Sequence, residues 1–344
     1  MDYSKRTFTT LFITCIVLCI VLVMMNLLFG SISVPFEVFK DLIFNPENVE
    51  NKWKIIVISS RLTQTLTALF AGAALAVSGL MLQTLFCNPL AAPSILGISS
   101  GSGVGVAIVM LFLGTSASQL GFSGHLAVVA GAMLGAMAVL AIIIMFSTVI
   151  KSNVMLLVVG LMVGYITSSA VSLLSYYATQ EGLVSFVAWG LGNFSGVSTD
   201  SLPYFLGFII FGLAISILMI KPLNALLLGD RYSENLGLNI KLTRILVLIS
   251  TGILTAIVTA FCGPIAFIGL AVPHIARLLL KSTNHLYLLP LTVILGANIS
   301  LICNLLTTLV IPGSVIPLNV ITPLMGAPVI IYIIINKKKI AYFN

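Results

Sequence analysis

Residues 221–244 read KPLNALLLGDRYSENLGLNIKLTR, and the runs on either side, 203–220 and 245–262, are apolar from end to end. A bilayer-spanning helix takes roughly 20 apolar residues. The flanks meet that requirement, and the stretch between them is too charged to do so. Pro222 can open a short helix and Gly229 can close it, after which Asp230 can cap a second helix that Gly237 ends. The stretch therefore reads as two short helices lying at a membrane face. Leu223, Leu226 and Leu227 give the first an apolar side. Such a segment is either a connecting loop or a rigid knob shaped for a partner's cleft.

Working outward, apolar runs occupy 8–29, 63–86, 94–114, 123–147, 153–176, 203–220, 245–262, 264–280, 288–311 and 318–336, ten in all. The chain is expected to be an all-α polytopic membrane protein, a compact bundle of about ten helices in one domain over 1–344. Composition agrees. The 344 residues are 59% hydrophobic and 7% charged, against about 25% charged in soluble domains, which excludes a soluble two-domain enzyme. Lys5 and Arg6 before the first run resemble a signal peptide, but the run is too long for one and no A-x-A site follows, so it is read as a first span.

Loop charges set the orientation. With both termini cytoplasmic, inner segments hold Lys5, Arg6, Lys151, Lys221, Arg231, Lys241, Arg244, Arg277, Lys281, Lys337, Lys338 and Lys339, twelve of the sixteen basic residues. Outer segments keep only Lys40, Lys52, Lys54 and Arg61, with six acids. The positive-inside rule favours this arrangement. The net charge of +7 is scattered as topology signals are, not gathered into a nucleic-acid-binding stripe. None of the nine acids falls inside an apolar run. Ion-coupled carriers place ionisable groups in the membrane as relays, so the energy here is expected from another polypeptide, docking on the 221–244 stretch.

Other segments carry weaker signals. In 33–44, Ser33 can cap and Pro35 can open a short outer helix with Phe36, Phe39 and Ile43 on one face. Gly97/Gly101/Gly105, Gly131/Gly135 and Gly160/Gly164 have close-packing spacing. Residues 178–202 form an outer loop around Trp189 and Phe194, either a re-entrant gate or an interfacial turn. Ser168, Ser169, Ser172 and Ser175 recur on one span, and Asn298, Ser300, Asn304, Thr307 and Thr308 on another; such groups bond between helices or line a weakly polar passage. Cys15, Cys19, Cys87, Cys262 and Cys303 read as small hydrophobes of the bundle. His125, His274 and His285 are isolated, and His274 shares a helix face with Arg277. No catalytic or metal motif is present.

Three stretches together make the chain recognisable: AGAALAVSGLMLQTLFCNPLAAPSILGISSGSGVG (71–105) after Arg61-Leu62, LLLGDRYSENLGLNIKLTR (226–244), and GPIAFIGLAVPHIARLLL (263–280) followed by PLNVITPLMGAPVIIYII (317–334). The chain resembles the permease subunits of binding-protein-dependent ABC importers for iron–siderophore complexes, haem and vitamin B12. The resemblance implies a permease of the bacterial cell membrane, itself not an enzyme, with ferric siderophores as the leading cargo and haem or cobalamin as the alternative. It implies a second permease, identical or paralogous, and an extracytoplasmic binding protein. Two cytosolic ATPase subunits would carry the ATP and magnesium, with no cofactor in this chain. Membrane lipid is its solvent, and no nucleic acid is expected. ATPase coupling falls to about 221–239, on Leu226, Leu227, Gly229, Asp230, Arg231, Glu234, Leu236 and Gly237. Binding-protein docking falls to Arg61; for the family arginines that this chain lacks, either Lys52 and Lys54 substitute or a paralogous partner permease supplies part of the charge. Candidate path residues are Ser168, Ser172, Ser175, Asn304 and Thr308. The chain also departs from the family pattern. Gln64 stands at the second arginine of the family's R-L-P-R. Asn304 and Thr308 stand at the acid and arginine of its A-D-x-x-x-R, and Asn319 at the glycine of its P-V-G-x-x-T.

Overall fold

A computed structural model describes residues 2–30, 32, 34–45, 47, 49–112, 122–150, 152–310 and 314–335. Ser33, Lys151 and Lys337–Lys339 lie outside the described residues. In chain order the helices are α1 (Asp2–Leu28), α2 (Phe36–Phe44), α3 (Asn51–Leu85), α4 (Ile98–Leu111), α5 (Phe122–Val149), α6 (Asn153–Tyr176), α7 (Gln180–Gly190), α8 (Leu202–Leu218), α9 (Ile220–Leu226), α10 (Asp230–Asn235), α11 (Ile240–Cys262), α12 (Ile268–Leu280), α13 (His285–Leu309) and α14 (Leu318–Ile335). No strand occurs among the described residues.

Six of these helices are long and apolar enough to cross a bilayer: α1, α3, α5, α6, α11 and α13. The pair α8–α9, bent by 51°, adds a seventh, and α4, α12 and α14 are shorter apolar helices. Together they account for the ten apolar runs. A helix can cross lipid because each of its backbone N–H and C=O groups finds its partner within the segment.

α3 is the central helix, packed on by α8, α11, α12 and α13. Its small residues let neighbouring backbones touch it. A Cβ at Gly79 would lie 1.6 Å from the Gly269 carbonyl oxygen, and one at Gly72 would lie 2.3 Å from that of Gly296. The glycine spacings read from the sequence act in the same way. Gly105 meets Gly131 and Gly101 meets Gly135 across the α4–α5 crossing, while Gly97 lies against Gly160 and Gly164 of α6.

Three local expectations are corrected. The second span begins well before residue 63: the helix runs from Asn51, with a π-helical stretch over Ile55–Leu62 that turns Arg61 inward. In α2, Phe39 is buried with Leu27, Val34 and Val57, whereas Phe36 is 67% exposed, so the two do not share a buried face. Cys87, unlike the other four cysteines, is exposed, in the turn after α3.

Candidate functional site

The 220–239 segment is a bent knob. α9 leaves the end of α8, and Gly229 (φ +90°) turns the chain into α10. Gly229 itself holds the cap position and Asp230 is the first helical residue, so Asp230 is not the cap. The Ser233 hydroxyl donates into the carbonyls of Ala225 (2.7 Å) and Gly229 (2.8 Å), pinning α10 onto α9. At the far end, Gly237 (φ +84°) donates to Glu234 O and Leu238 N to Ser233 O, a Schellman closure. The two short helices are thus fastened to each other within the knob.

Its apolar face points the other way from the one read in the sequence. Leu223 (0% exposed) and Leu226 (3%) are buried in the protein and Leu227 is half-buried. The open apolar groups are Leu228, Tyr232 and Leu236, each more than half exposed. Gly229, Asp230, Arg231, Glu234 and Gly237 are exposed among them. Leu228, Asp230, Arg231, Tyr232 and Asn235 form one wall of a cleft of about 600 Å³, with Cys87 and Asn153 on the other. Leu228, Tyr232 and Leu236 therefore stand open to the outside among charged neighbours. Leu228 and Tyr232 escaped the sequence reading because periodicity finds a stripe without saying what covers it.

Beneath the knob, buried polar contacts tie it to the spans. Asn224 Oδ1 accepts from both the backbone N–H (2.8 Å) and the ring Nδ1 (2.9 Å) of His285, at the start of α13. The other ring nitrogen of His285 lies 2.8 Å from Thr84 Oγ1, at the end of α3. Next to Thr84, Gln83 accepts from the Arg277 guanidinium and donates to Leu270 O (3.2 Å), and His274 donates to Pro89 O (2.7 Å), fastening α12. Arg244 donates to Ile150 O (2.9 Å) and Asn153 Oδ1 (2.8 Å), closing the α5–α6 connection. Hydrogen bonds thus link α9 to α13 at Asn224–His285, and α13 in turn to α3 at His285–Thr84.

At the opposite end, the predicted docking residues separate. Lys52 is exposed and Lys54 half-exposed on the first turn of α3. Arg61 is only 7% exposed, and its guanidinium donates to Leu27 O (3.2 Å) and to Ile32 O, closing the end of α1. It behaves as a cationic helix cap. Beside it, Gln64 donates to Asn304 Oδ1 (3.0 Å), and Asn304 donates to Asn26 Oδ1 (2.8 Å). Asn26 in turn donates to Leu22 O and Leu301 O. This amide chain joins α1, α3 and α13, and with Arg61 and Thr308 it borders a cavity of about 150 Å³.

The predicted path residues do not come together. Ser168 and Ser172 are exposed and Ser175 half-exposed on α6, which packs mainly on α4, α5 and the turn before α4. Asn304 and Thr308 sit on α13 among α1, α3, α12 and α14. The 178–202 loop contains a defined helix, α7, capped by Thr179, whose hydroxyl accepts from Gly182 N (3.2 Å). No cluster of His, Cys, Asp and Glu able to hold a metal occurs among the described residues.

Comparison with known proteins gives this geometry its setting. Residues 18–336 match the FecCD transport family. The vitamin B12 import system permease proteins BtuC of Klebsiella pneumoniae and Citrobacter koseri are each 35% identical, over 287 and 288 residues, which is 83% of this chain and 84% of theirs. The BtuC of Salmonella typhi is 35% identical over 291 residues, 83% of this chain and 85% of its own. Among solved structures, a metal-chelate type ABC transporter in an inward-facing conformation superimposes with a TM-score of 0.82. It is 29% identical, over 96% of this chain and 99% of that one.

Proposed function

The chain belongs to the FecCD transport family, a multi-pass permease subunit of an ABC importer in the inner membrane, and from that premise we propose that it carries a bulky metal chelate, a ferric siderophore, inward at the expense of ATP hydrolysed by partner subunits. The knob carries this reading. Leu228, Tyr232 and Leu236 lie open beside Asp230, Arg231 and Glu234, and the seat beneath them runs through Asn224 and His285 to α3 and α13. A cytosolic ATPase gripping this knob would move two spans at once. The lack of any acid inside the apolar runs supports an energy source outside the chain.

The open faces of α6 and α14 support pairing with a second permease. Val154, Tyr165, Ile166 and Leu173 on α6, and Leu324 and Ile335 on α14, are each more than half exposed. An external binding protein would deliver cargo at the end bearing Lys52 and Lys54. The relatives named as vitamin B12 permeases favour cobalamin as the second reading of the cargo.

The test is purification from native membranes with whatever accompanies the chain, then reconstitution into vesicles. ATP-dependent accumulation of a radiolabelled ferric siderophore, and not of cyanocobalamin, supports the first reading. The reverse establishes the second. Uptake driven by an ion gradient without ATP refutes the coupling proposed for the knob.

A further inference from the structure

Asn319, a further departure from the family pattern, sits where three segments meet, and its side chain uses its hydrogen-bonding capacity on backbone alone. Nδ2 donates to Gly190 O (3.0 Å) and to Pro264 O, and Oδ1 accepts from Ala266 N (3.2 Å). The main chain on either side completes the joint. Asn319 N donates to Leu191 O (3.1 Å), Leu318 N to Gly192 O (3.3 Å), and Asn193 N to Cys262 O (2.9 Å).

The physical logic is that of two helix ends sharing their unsatisfied groups. α7 is only 11 residues long and ends where its last carbonyls need donors. α14 starts there with N–H groups that need acceptors. Joined head to tail, the negative end of α7 meets the positive end of α14. The approach is close because glycine permits it: Gly192 (φ +71°) and Gly263 (φ +75°) lie in the left-handed region, and a Cβ at Gly263 would sit 2.3 Å from Trp189 O. Lower on α14, a Cβ at Gly326 would meet the Phe267 side chain at 2.8 Å, a second fastening between the same segments.

We infer that Asn319 is a positioning residue that locks the half-helix α7, the 262–267 segment and the start of α14 into one rigid body, so that the half-helix moves with span α14 and not independently of it. This rests on the importer reading for what drives the movement, but not for the lock itself. Glycine at 319 keeps the main-chain bonds and removes three side-chain bonds, leaving Gly190 O, Pro264 O and Ala266 N without those partners. Aspartate keeps the size and the acceptor but loses both donors.

The experiment uses the permease complex as purified from native membranes, in lipid nanodiscs. Nitroxide labels go on Val184→Cys of α7 and Leu324→Cys of α14, both exposed, with Cys87→Ala removing the exposed native thiol. Pulsed electron–electron resonance then gives the distance between labels, at rest and after trapping with ATP and vanadate. The expected result is a narrow distribution, the same in both states, with Asn319 present. Asn319→Gly and Asn319→Asp broaden it at least twofold at rest. A native distance that shifts on trapping overturns the proposal, as do variants that keep the narrow distribution. The resting comparison needs no ATPase. A complex that cannot be trapped therefore counts against the importer reading, while the broadening still decides the lock. Variants that do not fold are separated from unlocked ones by gel filtration and by Asn319→Gly, which adds no charge against the carbonyls of Gly190 and Pro264.

Discussion

The orientation of the knob makes opposite demands on residues that are neighbours in sequence. Leu228 keeps 59% and Tyr232 56% of its surface exposed, whereas Leu223 keeps none. Full burial of a leucine side chain is worth about 1.5–3 kcal/mol. Covering the open part of Leu228 with a partner is then worth about 1–2 kcal/mol, roughly 5- to 30-fold in Kd. Leu228→Ala should weaken ATPase binding by that factor, and Tyr232→Ala by at least as much, since aromatic anchors dominate interfaces. Neither should move the unfolding midpoint of the isolated permease. Leu223→Ala empties a filled site, costs about 2–5 kcal/mol of stability, and should show first as a lowered midpoint. The assay pairs thermal unfolding in detergent with titration of the purified ATPase onto immobilised permease. If Leu223→Ala lost affinity at an unchanged midpoint while Leu228→Ala and Tyr232→Ala bound like the native chain, the assignment of faces would be refuted.

The outer end offers a parallel separation: Arg61→Ala should lower the unfolding midpoint, at a cost of about 1–3 kcal/mol, without altering the salt dependence of binding-protein capture. Lys52→Glu with Lys54→Glu should weaken capture several-fold at low salt, and the difference should fade as salt screens the exposed charges; equal capture at low salt would remove these lysines from the docking surface. Partial desolvation in the turn after α3, and to a lesser extent Asp230, raise the pKa of the accessible Cys87 thiol, so less thiolate is present at neutral pH than for a free cysteine. Alkylation of Cys87 by iodoacetamide should lag that of free cysteine near neutrality, catch up only at alkaline pH, and shift to lower pH in Asp230→Asn. Gln64→Arg alone, or Asn304→Asp alone, buries a charge without its partner and should destabilise the chain by about 3–5 kcal/mol. The double variant should recover part of that loss, giving a coupling of about 0.5–3 kcal/mol, and strict additivity in thermal unfolding would mean that the two side chains do not meet.

The spans were legible because the bilayer imposes a length and a hydropathy that a single sequence displays. α6 begins and ends where its apolar run does, at 153 and 176, and the glycine pairs of α4 and α5 meet as their spacing implied. What could not be read was which side of an element is covered. Lys52 and Lys54 gave the start of α3 the look of a loop, yet α3 runs straight through them. Leu223, Leu226 and Leu227 formed a clear stripe, and the protein itself covers it. Arg61 was assigned by residue type and by the resemblance, but its burial depends on where α1 ends, which only the packed chain determines.

The amide substitutions show the same limit from the other side. Gln64 and Asn304 look like two separate losses of family charge, 240 positions apart, and the fold brings them to 3.0 Å. A buried cation without its anion is costly, and so is the anion without its cation. Losing both together leaves a hydrogen-bonded neutral pair that carries neither cost. The outer face can therefore shed an arginine and an acid without stranding a charge. Whatever positive charge this subunit offers a binding protein then has to come from residues still open to solvent. With Arg61 spent on the end of α1, Lys52 and Lys54 are the basic residues of α3 left to provide it.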